Sequence, residues 1–259
     1  MQDNNQPFRD HISRALSLAL EPVASVRAGW EGGSAAFDAV DAYSDIDLNF
    51  IVDDECSLEG LYDTAERALA EVSRVTVVHS MPPGRYYKLS EGGEFLFVDL
   101  CFFREGASDH PLEVERHGVA RPLFDKGDWL RAKPLDRAAL DAKRQARYRE
   151  LQDWFVVSQS FVRKAILRGR EIEALASFWT YTLRPLAELL RMRFCPVRWD
   201  FGGMRYLDRD LPSDVYAEFS ALVFVRDLPE LETKLEAAGA WGTRLLRELD
   251  ADAPRRSRS

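Results

Sequence analysis

The sequence predicts an α+β fold, in which a mixed β-sheet with packed helices precedes a helical bundle. Apolar residues in the first half alternate between helical and strand-like spacing, whereas the second half carries only long helical stripes. The change falls close to Pro134. We therefore expect one domain at residues 1–134, a second at 135–252, and a disordered tail at 253–259, which is short and polar.

Apolar spacing and turn residues predict the first elements in order. A helix over residues 12–20 precedes a strand over 23–30, and the Gly-Gly-Ser segment at 32–34 then forms a tight turn. Residues 45–52 alternate between polar and apolar types, which is typical of a strand with one buried face.

The remaining elements of the first half follow from the same signals. Ser57 is placed to cap a helix over residues 58–72. Two short strands, 75–78 and 86–89, come next. Residues 95–103 are almost wholly apolar, so we expect a strand that is covered on both faces.

Helical stripes of apolar residues dominate the second half, and Gly169 separates the first two. Pro185 lies inside the second stripe and is expected to kink or break that helix, because proline lacks the N–H that a helix interior uses. Two further helices, over residues 215–225 and 231–249, complete the expected bundle.

The composition narrows the class of protein. Hydrophobic residues make up 46% of the chain and charged residues 30%, as in ordinary globular proteins. The three cysteines form no paired motif, so neither a disulfide framework nor a zinc site is indicated, and a cytoplasmic location is expected. No run approaches 18 apolar residues, so no membrane span is predicted.

The net charge of −8 is concentrated in the first half. Residues 1–133 carry 24 acidic and 13 basic side chains, whereas residues 134–252 carry 19 of each. Because phosphate contacts need lysine and arginine, this balance disfavours nucleic acid as a partner. It favours cations instead, either metal ions or a basic substrate.

Three aspartates are candidate metal ligands. Asp45 and Asp47 lie two residues apart on a predicted strand, so both side chains point to the face opposite Ile46. Asp99 lies inside an apolar stretch, where an isolated carboxylate needs a cation or a hydrogen-bonding partner. If the two strands are neighbours, the carboxylates form a cluster of the hard oxygen ligands that Mg²⁺ prefers. A structural hydrogen bond to Asp99 is the simpler alternative.

Gly33 and Ser34 are candidate contacts for a phosphate group. Gly33 lets the backbone pass close to a ligand. Ser34 is expected to begin a helix, whose free N–H groups favour a phosphate. The simpler alternative is a tight turn followed by a helix cap.

These residues resemble the signature of the nucleotidyltransferase superfamily with the polymerase-beta-like fold. The match consists of a glycine–serine pair, two aspartates after ten further residues, and a third aspartate: Gly33, Ser34, Asp45, Asp47 and Asp99. The likeness covers about residues 15–103. It is strongest to small bacterial enzymes that modify aminoglycosides or lincosamides, which also carry a helical bundle. One departure is Phe37, at a position where the family commonly has a small residue.

The resemblance implies transfer of a nucleoside monophosphate, AMP from ATP or its equivalent from another nucleoside triphosphate, to a hydroxyl of a small molecule. The acceptor would be an aminoglycoside, a lincosamide or another metabolite, and pyrophosphate would leave. The three aspartates would hold two Mg²⁺ ions. Asp99 is also a candidate general base, and Glu94 and Glu188 are weaker candidates. Lys164 would join Gly33 and Ser34 in contacting the nucleotide, since similarly placed lysines in relatives face it.

Other functions stay open on the sequence alone. The chain could be a catalytically silent nucleotide-binding regulatory or antitoxin-like module, although its intact aspartates favour an enzyme. Transfer to a protein side chain is a further alternative. A ribonuclease in the helical half is disfavoured, because no histidine follows His117. A monomer and a homodimer are both compatible with the resemblance.

Overall fold

The computed structural model describes residues 5–107, 110–201 and 203–251. Contacts divide the chain into two compact units, Met1–Leu135 and Asp136–Ser259. The tail predicted to be disordered, residues 253–259, lies outside the described residues. Among the described helices, none combines the length and the apolar character that crossing a membrane requires.

Six strands of the first unit form a mixed sheet. They are β1 (Val26–Glu31), β2 (Ile46–Val52), β3 (Val75–Met81), β4 (Gly84–Leu89), β5 (Val98–Arg104) and β6 (Arg121–Asp125). Their spatial order is β3-β4-β5-β2-β1-β6. β2 and β5 pair in parallel, whereas the other neighbouring strands are antiparallel. The parallel pair brings the first residues of β2 and β5 to the same edge of the sheet.

Helices α1 (Gln6–Leu20) and α2 (Leu58–Val72) pack on one face of this sheet. Leu48 of β2 and Leu100 of β5 are fully buried in the same core, because alternate residues of a strand point to opposite faces. Ser57 caps α2 by accepting a hydrogen bond from an N–H of the first turn, which confirms the predicted cap.

Two parts of the sheet region differ from the sequence prediction. β5 starts at Val98, three residues later than predicted, and only one of its faces is buried. Before it, Phe95 is 48% and Phe97 37% exposed, whereas Leu96 between them is buried, so these residues do not form a doubly covered strand. The sequence also does not predict the short α3 (Val114–His117) or β6, which contains Pro122 and lies at the sheet edge.

The described residues of the second unit contain helices and no strand. The helices are α4 (Arg137–Leu167), α5 (Glu171–Phe178), α6 (Arg184–Phe194), α7 (Leu207–Asp210), α8 (Ser213–Val223) and α9 (Leu228–Ala251). Their apolar stripes meet in a core that includes Phe155, Phe178 and Leu189. The predicted fold class, an α+β unit with a mixed sheet followed by a helical bundle, is confirmed.

The sequence predicts that Pro185 kinks or breaks the second helical stripe; the break is absent, and a local departure from the α-helix lies directly before it. α5 runs through a π-helical turn, Trp179–Leu183, directly into α6. Pro185 occupies the first turn of α6. Proline is tolerated in the first turn of a helix, and the wider π-helical turn before it lets the helical segment continue.

A buried ion pair links two parts of the second unit. Arg191 Nε lies 2.8 Å from Asp210 Oδ2, and both side chains are almost completely buried. Arg191 also donates hydrogen bonds to the carbonyls of Phe201, Gly203 and Arg205. Asp210 is thus the buried counter-ion of this network, and Arg198 is a second cation 3.7 Å from it.

Candidate active site

Asp47 and Asp99 lie opposite each other on the two central parallel strands. The register pairs Asp47 of β2 with Asp99 of β5, and neighbouring strands lie about 4.8 Å apart. Both side chains are half-buried, whereas Leu48 and Val98 next to them are buried on the helix-covered face. The two carboxylates therefore project from the face of the sheet that α1 and α2 leave open.

The surroundings of Asp99 make its carboxylate more basic than usual. Burial raises the pKa of Asp99, and the negative charge of Asp45 raises it further. Hydrogen bonds from Tyr86, opposite Asp99 on β4, and from the Cys101 thiol, 3.6 Å from Oδ1, act in the opposite direction. Because burial outweighs these hydrogen bonds, Asp99 is suited to accept a proton.

Gly33 packs directly against the Asp47 carboxylate. Its φ of +54° lies in the left-handed region that glycine adopts readily. A Cβ at this position would lie 1.8 Å from Asp47 Oδ2, so no larger residue fits while that carboxylate stays in place. The neighbouring Gly32 N–H donates to the Asp47 carbonyl over 2.8 Å, which ties the turn to the start of β2.

Ser34 carries a buried hydroxyl that has no hydrogen-bonding partner among the described residues. The residue lies in a five-residue 3₁₀ turn, Gly33–Phe37, and not at the start of an α-helix as predicted. A buried polar atom without a partner costs free energy, and at a binding site a ligand oxygen can satisfy it. The hydroxyl, more than a helix N-terminus, is therefore the feature of this turn that suits a phosphate.

Whether the site fits Mg²⁺ depends on how many metal ligands the protein itself provides. Among the described residues, no three or more His, Cys, Asp or Glu side chains form a group that could hold a metal ion, so the predicted aspartates do not form a ready cage. Mg²⁺ is commonly bound by one or two carboxylates together with substrate phosphates and water. The in-register pair Asp47 and Asp99, with Asp45 close enough to affect the pKa of Asp99, fits that kind of site.

Arg9 and Tyr86 belong to this site but are not among the sequence candidates. Tyr86 reaches Asp99 only through the pairing of β4 with β5, which its position in a predicted strand does not reveal. Arg9 donates to the carbonyl of Asp45 over 2.7 Å. Its helical spacing is a signal that could have identified it. Arg9 lies three residues before Ile12, on the apolar stripe of α1 that faces the core.

Two other sequence candidates lie in the second unit. Lys164 is exposed on α4, with its Nζ 5.6 Å from the centre of the Phe161 ring, and its proposed contact with nucleotide stays a prediction. Glu188, a weaker candidate for a general base, accepts two hydrogen bonds from Arg147, at 2.7 and 3.1 Å. This bidentate pair occupies both carboxylate oxygens of Glu188 and disfavours that role.

The chain matches no protein-family model and no curated protein. Among solved structures it is similar to an aminoglycoside 6-adenyltransferase from Bacillus subtilis, with 10% identity, a TM-score of 0.42 and coverage of 97% of this chain and 91% of that one. A second is spectinomycin adenyltransferase AAD(9) from Enterococcus faecialis with ATP and spectinomycin, with 10% identity, a TM-score of 0.40 and coverage of 95% and 99%. A third is a STING-associated c-di-GMP synthase from Capnocytophaga granulosa, with 13% identity, a TM-score of 0.33 and coverage of 95% and 83%. Likeness this distant leaves the function to be argued from the chain's own residues.

Proposed function

We propose that the chain is a magnesium-dependent nucleotidyltransferase, which transfers a nucleoside monophosphate, AMP from ATP, to a hydroxyl of a small molecule and releases pyrophosphate. The observation that carries this proposal is the in-register pair of Asp47 and Asp99 beside the Gly33–Phe37 turn. The carboxylates can bind the Mg²⁺ that accompanies a nucleotide, and the hydroxyl without a described partner can donate a hydrogen bond to a phosphate.

The aspartates have distinct parts in the proposed reaction. Bound Mg²⁺ would neutralise the triphosphate and lower the pKa of the acceptor hydroxyl. Asp45, Asp47 and Asp99 would supply its carboxylate ligands. Asp99, in register with Asp47, would also take the proton of the acceptor hydroxyl. As the acceptor oxygen bonds to the α-phosphorus, the bond from that phosphorus to pyrophosphate breaks.

Ser34 and Gly33 would orient the triphosphate. The Ser34 hydroxyl lacks a partner among the described residues, so it is available to donate to a phosphate oxygen. Gly33 packs against the Asp47 carboxylate, so the turn that carries Ser34 begins beside it. Lys164 of the second unit is proposed as an additional positive charge for the triphosphate.

The net negative charge of the first half favours cationic molecules as acceptors. Residues 1–133 carry 11 more acidic than basic side chains, 24 against 13. A negative field of this kind attracts cationic molecules. We therefore place a polycationic hydroxyl compound of the aminoglycoside type first among acceptors, with lincosamides and other hydroxyl compounds after it.

The test is a pyrophosphate-release screen of the full chain, in which each nucleoside triphosphate is combined with a panel of hydroxyl compounds, with and without Mg²⁺. Pyrophosphate release is expected for at least one combination of nucleoside triphosphate and hydroxyl compound, and only when Mg²⁺ is present. Asp47→Asn and Asp99→Asn should abolish it, whereas Asp63→Asn, an exposed aspartate on α2, should not. Equal turnover in all three variants would reject the assignment of the site.

A catalytically silent nucleotide-binding module is the second candidate. The in-register acidic pair and the turn beside it are what nucleotide binding alone requires, so they suit this module as well. Such a module would bind ATP with Mg²⁺ tightly but release no pyrophosphate with any acceptor. Isothermal titration with ATP, run beside the screen, separates the two functions.

A further inference from the structure

Arg9 is a buried cation that joins helix α1 to the residues in front of β2. It is only 2% exposed. Its Nη1 donates to the Ser44 carbonyl over 2.6 Å and its Nη2 to the Asp45 carbonyl over 2.7 Å. Glu31 lies 3.8 Å from Nη2 as its counter-ion. A buried guanidinium needs such partners, and here two of them are backbone atoms of one short segment.

This segment is where the carboxylates of the candidate site begin. Asp45 precedes β2 by one residue, and Asp47 is the second residue of the strand. Helix α1 is itself held in the core by Ile12 and Leu16, which are completely buried. The two hydrogen bonds from the Arg9 guanidinium, called the fork below, therefore hold the segment that carries Asp45 and Asp47 in a fixed position relative to helix α1.

We propose that Arg9 is a positioning residue, which fixes the start of β2 and thereby holds Asp45 and Asp47 in place to bind a divalent cation. This inference rests on the proposed function, since it concerns the same site. The planar guanidinium matches two neighbouring carbonyls at once, whereas the single ammonium of a lysine does not. Arg9 therefore contributes the geometry of its two hydrogen bonds to the site, and not only its positive charge.

Charge and geometry affect metal affinity in opposite directions. The positive charge of Arg9 attracts the charges of Asp47 and Asp45 and competes with a metal ion for them. Loss of that charge alone would tighten metal binding. Loss of the fork would weaken it, because the carboxylates would no longer be held in place. Arg9→Lys keeps the charge and removes the fork, and Arg9→Met removes both, so the two variants separate the effects.

Arg104 provides a matched control in the same unit. Its Nη1 donates to the carbonyls of Asp53 and Cys56, both over 2.8 Å. It thus ties two backbone carbonyls just beyond the last residue of β2, Val52, but with one nitrogen where Arg9 uses two. Arg104→Lys changes an arginine that holds the other end of β2 and should leave the acidic end of the strand untouched.

The experiment measures binding of Mn²⁺ alone to the full chain by isothermal titration, with a melting curve for each variant. Arg9→Lys is expected to bind Mn²⁺ about ten-fold or more weakly than the wild type, the loss seen when residues that orient metal ligands are changed. Arg9→Met should lose less affinity than Arg9→Lys, because it also removes the charge that competes with the metal ion. Arg104→Lys should bind as the wild type does. Affinity within about two-fold of wild type for Arg9→Lys would overturn the inference.

Asp47→Asn distinguishes failure of this inference from failure of the proposed function. If that variant loses Mn²⁺ binding while Arg9→Lys retains it, the metal site stands and the role of Arg9 is rejected. Equal affinity of the wild type and Asp47→Asn would reject the metal site, and the role of Arg9 with it. If Arg9→Lys does not fold, Arg9→Gln, which keeps an amide donor for one carbonyl, replaces it with the same expected weakening.

Discussion

The packing of Gly33 against Asp47 leads to a prediction about Gly33→Ala. The added Cβ would lie 1.8 Å from Asp47 Oδ2 and 2.4 Å from its Cγ. Ordinary contacts begin near 3.4 Å, so the carboxylate must swing away by roughly 1.6 Å. The end of a side chain can move at little energetic cost, but this one is a proposed metal ligand. We therefore expect a large loss of activity with a modest loss of stability.

The two losses can be estimated separately. An alanine held in the left-handed region costs about 1–2 kcal/mol, which sets the expected loss in the free energy of unfolding. Displacement of a reacting or ligating group by about 1 Å costs about 100-fold in rate. That factor corresponds to about 2.7 kcal/mol in the activation free energy.

Gly93→Ala is the matched control. Gly93 has a φ of +67°, and a Cβ there would meet no atom within 4 Å. It should lose about as much stability as Gly33→Ala in urea denaturation, because the backbone strain is similar. Its pyrophosphate release with Mg²⁺ should stay near that of the wild type. Equal turnover in the two variants would refute the link between Gly33 and the position of Asp47.

Three further outcomes follow from single contacts. Ser34→Ala should raise the KM for ATP about ten-fold without lowering the melting temperature, because the hydroxyl has no described partner to lose; an unchanged KM would contradict a phosphate contact. Asp99→Asn should abolish turnover but raise the melting temperature at pH 7 in metal-free buffer. The reason is that burial raises the pKa of Asp99 in the folded state, so its charged form destabilises the fold at a pH above that pKa. The gain should shrink as the pH falls through the folded-state pKa and vanish below the unfolded-state pKa. A lower melting temperature at pH 7 would contradict this sign. Arg191→Met should cost about 3–5 kcal/mol of unfolding free energy, because buried Asp210 loses its closest counter-ion and keeps only Arg198, whose Nη1 lies 3.7 Å from Oδ1. A loss under about 1 kcal/mol in urea denaturation would contradict it.

Errors in the sequence prediction arose where local patterns have more than one tertiary outcome. The apolar residues at 95–97 look like the start of a buried strand, but Phe95 and Phe97 lie in an exposed loop. Pro185 signals a helix break, yet a π-helical turn absorbs it. In both cases the residue type is compatible with two structures, and neighbouring segments decide between them.

The sequence by itself determined the order of sheet and helices, the strand that carries Asp47, and the glycine turn before it. These features depend on spacing within one segment, which a period of two or 3.6 residues reveals. Only the tertiary structure decided that Asp47 pairs with Asp99, that the Ser34 hydroxyl is left without a described partner, and that Arg9 holds the start of β2. Those contacts join segments far apart in the chain, and alternation sets the face of a side chain but not its partner across the sheet.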